Sequence, residues 1–137
     1  LRDRIKIMKS ICTYCSAGKD SISGLIPALK RYQSTRIGEI YELAVKQNNL
    51  FTILSGKFGL LESSTMIPYY DYLLLDSDVE THAKKVSIQL KKMKITALDY
   101  YTIQPNIDNH LIAYSECIRR ATEISNVNLT IQIISGL

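Results

Sequence analysis

STRIGEIYELAVKQNNLFTILSG, residues 34–56, reads as a helix feeding directly into a strand. Ser34 is a favoured N-cap residue. Ile37, Ile40, Tyr41 and Ala44 recur at helical spacing, with Glu39, Glu42 and Lys46 opposite them, so the helix runs to about Gln47. Asn48-Asn49 stop it, and residues 50–54 form a strand that ends at Ser55-Gly56. The same alternation continues on either side. Residues 5–14 (IKIMKSICTY) are rich in β-branched and apolar types and predict a first strand, closed by the small residues Cys15-Ser16-Ala17-Gly18. A short helical segment falls at residues 25–31, with Pro27 acceptable in its first turn.

Downstream, a helix begins near Asp78, with Val79, Ala83, Val86, Leu90 and Met93 on one side and Lys84, Lys85, Lys91 and Lys92 on the other. A third strand spans residues 97–103, interrupted by Gln104-Pro105-Asn106. A long helix over residues 108–124 turns Leu111, Tyr114, Ile118 and Ala121 inward, and residues 129–134 close the chain as a fourth strand. Strands alternating with helices predict βαβ units. The expectation is a single three-layer Rossmann-like α/β domain over residues 1–137, with a mainly parallel sheet of about four strands. Such sheets bind ligands beyond the carboxyl ends of their strands. That rule gathers Cys15-Ser16, Ser55-Gly56 and residues 104–106 onto one edge.

The totals agree with one domain. A chain of 137 residues has room for one core. At 46% hydrophobic and 22% charged it is too apolar for disorder. No stretch approaches the ~20 apolar residues of a membrane span, and the first residues do not read as a signal peptide. Three cysteines give no regular disulfide framework and suit a reducing compartment, so a cytoplasmic location is expected. The net charge of +4 points weakly to an anionic partner.

The loop Ser55-Gly56-Lys57-Phe58-Gly59 carries the most chemical information. Two glycines three apart permit positive φ and close backbone approach to a ligand. The lysine between them is a point charge suited to phosphate or carboxylate, and Ser55 offers a hydroxyl. The plainer reading is a tight strand-to-helix turn with a solvated lysine. The spacing is not that of a Walker A loop. Ten residues on, Ile67-Pro68-Tyr69-Tyr70-Asp71-Tyr72 places three tyrosines and an aspartate in an irregular segment. Tyr69 and Tyr70 can stack on a base or donate hydrogen bonds, and Asp71 can accept a proton or hold a hydroxyl. Alternatively, the tyrosines cover the core edge and Asp71 fixes a turn.

The string from Ile53 to Leu61, followed by Ile67-Pro68-Tyr69-Tyr70-Asp71, resembles an uncharacterised bacterial and archaeal family with the signature LS[AG]K[YF]GLL…IPxYD. Cys15-Ser16 and the segment Pro27-Ala28…Arg31-Tyr32-Gln33-Ser34-Thr35-Arg36-Ile37 are similar to that family's first half. A more distant likeness joins it to the YaaA peroxide-stress proteins, which are associated with DNA binding and iron homeostasis. The resemblance covers roughly residues 12–75 and implies an α/β domain with a polar site, which Cys15, Ser16, Arg31 and Arg36 join. It implies no reaction, and the helix-hairpin-helix region of YaaA is not recognisable here.

Ser16-Ala17-Gly18-Lys19-Asp20-Ser21 is similar to the SGGxDS loop of ATP pyrophosphatases, whose amides cradle pyrophosphate. Ala17 replaces one of that loop's glycines. Cys12 and Cys15 form a CxxC, but Cys12 lies inside the expected strand and zinc needs about four ligands. No metal site is expected; Cys117 reads as core, and Cys15 is the one cysteine placed to react. His110, near the start of the last helix, is either a general base or a capping residue. His82 reads as part of a solvated face. The four lysines form a basic face without interleaved aromatics, either simply solvated or open to nucleic acid.

These features predict a small enzyme or enzyme subunit that binds a nucleotide, nucleoside or nucleic-acid base, with no cofactor identified. Lys57, Tyr70 and Asp71 are the catalytic candidates. Cys15, Ser16, Arg31, Arg36, Ser55, Gly56, Gly59 and Tyr69 are the ligand-binding candidates. The alternatives are a non-catalytic nucleic-acid-binding protein working through the lysine face, and an ATP pyrophosphatase-like nucleotide-binding domain.

Overall fold

A computed structural model describes residues 7–134; residues 5 and 6 of the expected first strand lie outside them. The elements run β1 (Lys9–Tyr14), β2 (Ile26–Pro27), α1 (Ala28–Arg31), α2 (Thr35–Lys46), β3 (Leu50–Ser55), β4 (Gly59–Glu62), β5 (Met66–Ile67), a 3-10 turn (Asp76–Asp78), α3 (Val79–Lys92), β6 (Ala97–Thr102), α4 (His110–Ser125) and β7 (Asn128–Ile133). The central sheet has the order β4-β3-β1-β6-β7. β1 pairs in parallel with β3 and β6, and β6 with β7. The architecture is α/β and Rossmann-like.

Period-two alternation divides the core. Cys12 and Tyr14 of β1, Leu54 of β3, and Leu98 and Tyr100 of β6 face α3 and α4. Ile11, Phe51 and Ile53 face Ile37, Ile40 and Ala44 of α2. Strands buried on both sides carry continuous apolar runs, and residues 51–55 are buried throughout. Local signals start and stop the three long helices within about two residues of where the sequence places them, whereas the segment expected at 25–31 is helical only over Ala28–Arg31, with Pro27 in β2. The Ser34 hydroxyl accepts from the Ile37 amide at 3.2 Å, a cap worth about 1 kcal/mol. Asn48 and Asn126, after α2 and α4, adopt φ of 57° and 58°, the left-handed conformation that ends helices.

Two elements differ from expectation. Residues 55–59 make a β-hairpin, not a strand-to-helix turn, and β4 returns antiparallel to β3 as a fifth strand. β2 and β5 form a small antiparallel ribbon beside the main sheet. Four-residue and two-residue strands are too short to show periodicity. Among the described residues no helix is long and apolar enough to cross a membrane.

The topology also fixes where a ligand can enter. β1 continues through α2 on one face of the sheet, whereas its neighbour β6 continues through α4 on the other. Adjacent strands whose connections leave toward opposite faces open a crevice at their carboxyl ends.

Candidate active site

The hairpin is held from within. Ser55 is fully buried, and its hydroxyl accepts from the amides of Lys57 (3.1 Å) and Phe58 (3.0 Å). With both lone pairs taken, the Ser55 proton is donated to the Tyr70 hydroxyl at 2.9 Å. Tyr70 in turn donates to Tyr32. Burial holds both phenols well above the ordinary tyrosine value. Tyr70 therefore stays protonated and is a hydrogen-bond link at the hairpin base. It packs edge-on against Phe58, with ring centroids 5.0 Å apart.

The glycines have packing reasons. A Cβ on Gly56 would lie 2.8 Å from the Tyr114 hydroxyl and 3.0 Å from the Leu74 amide nitrogen. Gly59 adopts φ +79°, with the Gln89 side chain where a Cβ would project. That side chain accepts from the Leu60 amide at 2.8 Å and donates to the Phe58 carbonyl at 3.1 Å, closing the outer edge of β4. The Lys57 and Phe58 amides are thus committed inside the protein, and Gly56 and Gly59 serve close packing.

Arg31 is placed away from any cleft. It is 0% exposed, and its guanidinium donates to the carbonyls of Asp20 (2.8 Å), Ile22 (2.7 Å), Gly24 (2.7 Å) and Ile67 (3.1 Å). It staples the 20–24 loop to β5. His82, expected on a solvated face, is buried, with Nε2 2.8 Å from the Ser55 carbonyl oxygen; burial lowers its pKa. The charged lysines beside it in sequence masked that inward position. Of the tyrosine pair, Tyr69 is 52% exposed and Tyr70 only 5%.

The crevice between β1 and β6 holds a cleft of ≈ 310 Å³. β1 ends in Tyr14, Cys15, Ser16 and Ala17 on one wall, and Asp108 and His110 at the start of α4 form another. Asp71, Tyr72 and Leu73 line it as well, and Lys19, Arg36, Leu111 and Tyr114 complete the lining. Of the sequence candidates, Cys15, Ser16, Arg36 and Asp71 meet here, joined by His110. Lys57 does not line this cleft, nor do Ser55, Gly56, Gly59, Tyr69, Tyr70 or Arg31.

Arg36 is the anchor of the cleft floor. Its guanidinium lies 3.6 Å from the Tyr14 ring centroid and donates to the Thr13 hydroxyl (2.6 Å) and to the carbonyls of Tyr14 (2.9 Å) and Cys15 (3.3 Å). Burial lowers its pKa, but an arginine guanidinium keeps its charge. The Cys15 thiol donates weakly to the Tyr114 hydroxyl at 3.9 Å, where the Leu74 amide also donates, at 3.1 Å. The Lys19 ammonium sits 4.7 Å from the Tyr70 ring centroid. Asp108 accepts from the His110 amide at 3.0 Å, and its Oδ1 lies 3.3 Å from Nδ1 of the same residue. That contact leaves Nε2 of His110 for a ligand.

Asp20 turns its carboxylate onto the Ile22 amide at 2.9 Å and does not line the cleft. Tyr14, Tyr114 and Asp108 were not among the sequence candidates. Tyr14 and Asp108 carry the positional signal, since they flank the ends of β1 and β6. Among the described residues no three His, Cys, Asp or Glu side chains converge as a metal-ligand group. Comparison with protein families, with curated proteins and with solved structures found no match.

Proposed function

We propose that the protein is a small enzyme or enzyme subunit that binds a nucleotide or nucleoside in the cleft between the carboxyl ends of β1 and β6. The observation that carries this reading is the convergence of two cations (Lys19, Arg36), two carboxylates (Asp71, Asp108) and tyrosine rings at that crevice. Among the described residues the amides of Ser16, Ala17 and Gly18 have no acceptor within the protein, so they are available to an anion beside Lys19. Tyr72 and Leu111 offer apolar surface to a base. Asp71 accepts a hydrogen bond from a ribose hydroxyl or a base N–H, and His110, oriented by Asp108, moves a proton. Arg36 positions the end of β1 and supplies positive charge. The Lys57 and Phe58 amides of the 55–59 loop are taken by Ser55 and do not hold the anion.

Thermal denaturation with a panel of nucleosides and nucleotides tests this reading. Ligand at a hundred times Kd stabilises by about 2.7 kcal/mol. Lys19→Ala and Asp71→Asn are expected to abolish the ligand-induced shift while leaving the unliganded melting temperature within a few degrees. If both variants keep the full shift, or if no member of the panel produces one, the reading is wrong.

The α3 lysines support a second reading, nucleic-acid contact. Lys84, Lys85, Lys91 and Lys92 are all exposed, and none is ion-paired among the described residues. Binding through that face would fall steeply with salt, and reversing the four charges without effect on affinity would dispose of it.

A further inference from the structure

A second cavity, of ≈ 490 Å³, lies on the far side of Tyr72, between the hairpin and the first turn of α3. Tyr72 lines both this cavity and the cleft, so the two spaces adjoin at that residue. Lys57 and Lys85 stand together at its rim: the Lys85 ammonium donates to the Lys57 carbonyl at 3.4 Å, and both side chains are exposed. Neither forms an ion pair among the described residues.

Asp78 is the carboxylate of the cavity, and one of its oxygens is already hydrogen-bonded within the protein. Its Oδ2 accepts from the Tyr72 hydroxyl at 2.6 Å and from the Leu75 amide at 3.1 Å. His82 forms the buried side, where desolvation disfavours its charged form. Two cations therefore share one rim with a single carboxylate. An anion in the cavity is drawn to both cations.

We propose that this second cavity is a phosphate subsite, and that the ligand of the cleft passes over Tyr72 to set its phosphates between Lys57 and Lys85. The proposal rests on the cleft reading and extends it: the ligand class becomes a phosphorylated nucleoside, supplied either as a free nucleotide or as the phosphorylated end of a nucleic-acid strand. It also gives Lys57 a task that its position outside the cleft otherwise denies it.

Calorimetric titration of the whole protein distinguishes the outcomes, using the four ribonucleosides, their 5′-diphosphates, inorganic pyrophosphate and a short 5′-phosphorylated single strand. The diphosphate of the preferred base is expected to bind at least about tenfold more tightly than its nucleoside, equivalent to ~1.4 kcal/mol. In the Lys57→Ala/Lys85→Ala double variant that ratio falls to within about threefold of unity, a loss of ~0.7 kcal/mol or more. A ratio that survives in the double variant overturns the subsite while leaving the cleft reading intact. Pyrophosphate that binds the wild type but not the double variant, with no nucleoside binding at all, keeps the subsite and removes the cleft reading. If neither nucleosides nor pyrophosphate bind, both fall. Tighter binding of the strand than of the diphosphate, with a steeper salt dependence, identifies the nucleic-acid end as the source; the reverse order identifies the free nucleotide.

Discussion

Replacing Arg31 by methionine removes a charge and four hydrogen bonds, together with a buried Nε–H that has no partner among the described residues, while keeping most of the side-chain volume. The guanidinium is wholly excluded from solvent and is compensated by carbonyl dipoles, with no ion-paired carboxylate among the described residues. A hydrogen bond to a charged group contributes a net ~1.5–3 kcal/mol, desolvation already counted. The four acceptors are not equivalent. The Ile67 carbonyl bond is buried, so its loss costs about 2 kcal/mol. The carbonyls of Asp20, Ile22 and Gly24 lie in a loop that can open to water, which reduces each to ~1 kcal/mol. The sum is about 5 kcal/mol, as large as the whole stability of a marginal domain. At ~3–4 °C per kcal/mol for a chain of this size, the melting temperature falls by about 15–20 °C.

Calorimetric melting reads that loss, and limited proteolysis localises it. The first cut in Arg31→Met is expected within residues 20–24, because the staple to β5 is gone. Arg31→Lys keeps the charge but not the forked geometry and recovers less than half of the loss. A methionine variant that melts within about 3 °C of the wild type would refute the carbonyl accounting, because the burial cost of the cation would then match everything its four bonds return.

Ser55→Ala strands the Lys57 and Phe58 amides and costs about 2–4 kcal/mol in chemical denaturation, whereas Tyr70→Phe, which leaves both amides paired, costs about 1 kcal/mol; the reverse order would contradict the donor directions assigned at the hairpin. His82, its pKa held below 6.5 by burial, takes up a proton in the unfolded chain before the folded one, so stability falls as pH drops below 6.5 until the folded value is passed. The slope cannot exceed about 1.4 kcal/mol per pH unit, and urea unfolding of His82→Gln should lack that contribution. Cys12 and Cys117 are buried, with their thiols pushed up to about 12, so iodoacetamide should label the folded protein at Cys15 and spare both. Peptide mapping checks this, and a ligand seated in the cleft should slow the labelling.

The helix-and-strand order was legible because each long element carries its own period and its own stop. The inward stripe of α2, the Ser34 cap and the left-handed Asn48 are local facts, and local facts survive folding. β4 was not legible. Gly59 pairs with Ser55 only because Gln89, thirty residues later, closes the edge of the strand and fills the space beside the glycine. The same distance effect misled the reading of Arg31. Arg31 became a ligand-binding candidate through its place in the family-like segment alone. What decides its role is the fold of residues 20–24 around its guanidinium, and no periodicity encodes that.

Motif and position make different claims about the candidate site, and the geometry separates them. The motif rule favoured Lys57 and the 55–59 amides because glycine and lysine together suit an anion. In the folded chain the two inner amides belong to Ser55, and the lysine projects into a different cavity. The positional rule asked only which residues lie beyond the carboxyl ends of parallel strands. It gathered Cys15-Ser16, Ser55-Gly56 and residues 104–106, and of these Cys15 and Ser16 line the cleft, beside the start of α4. Sheet topology fixes a crevice before any side chain is chosen. A glycine-rich loop must still satisfy its own amides and packing before it can serve a ligand. The hairpin meets those demands internally, and through the Gly56–Tyr114 approach it holds the thiol–phenol pair of Cys15 and Tyr114 in the cleft wall.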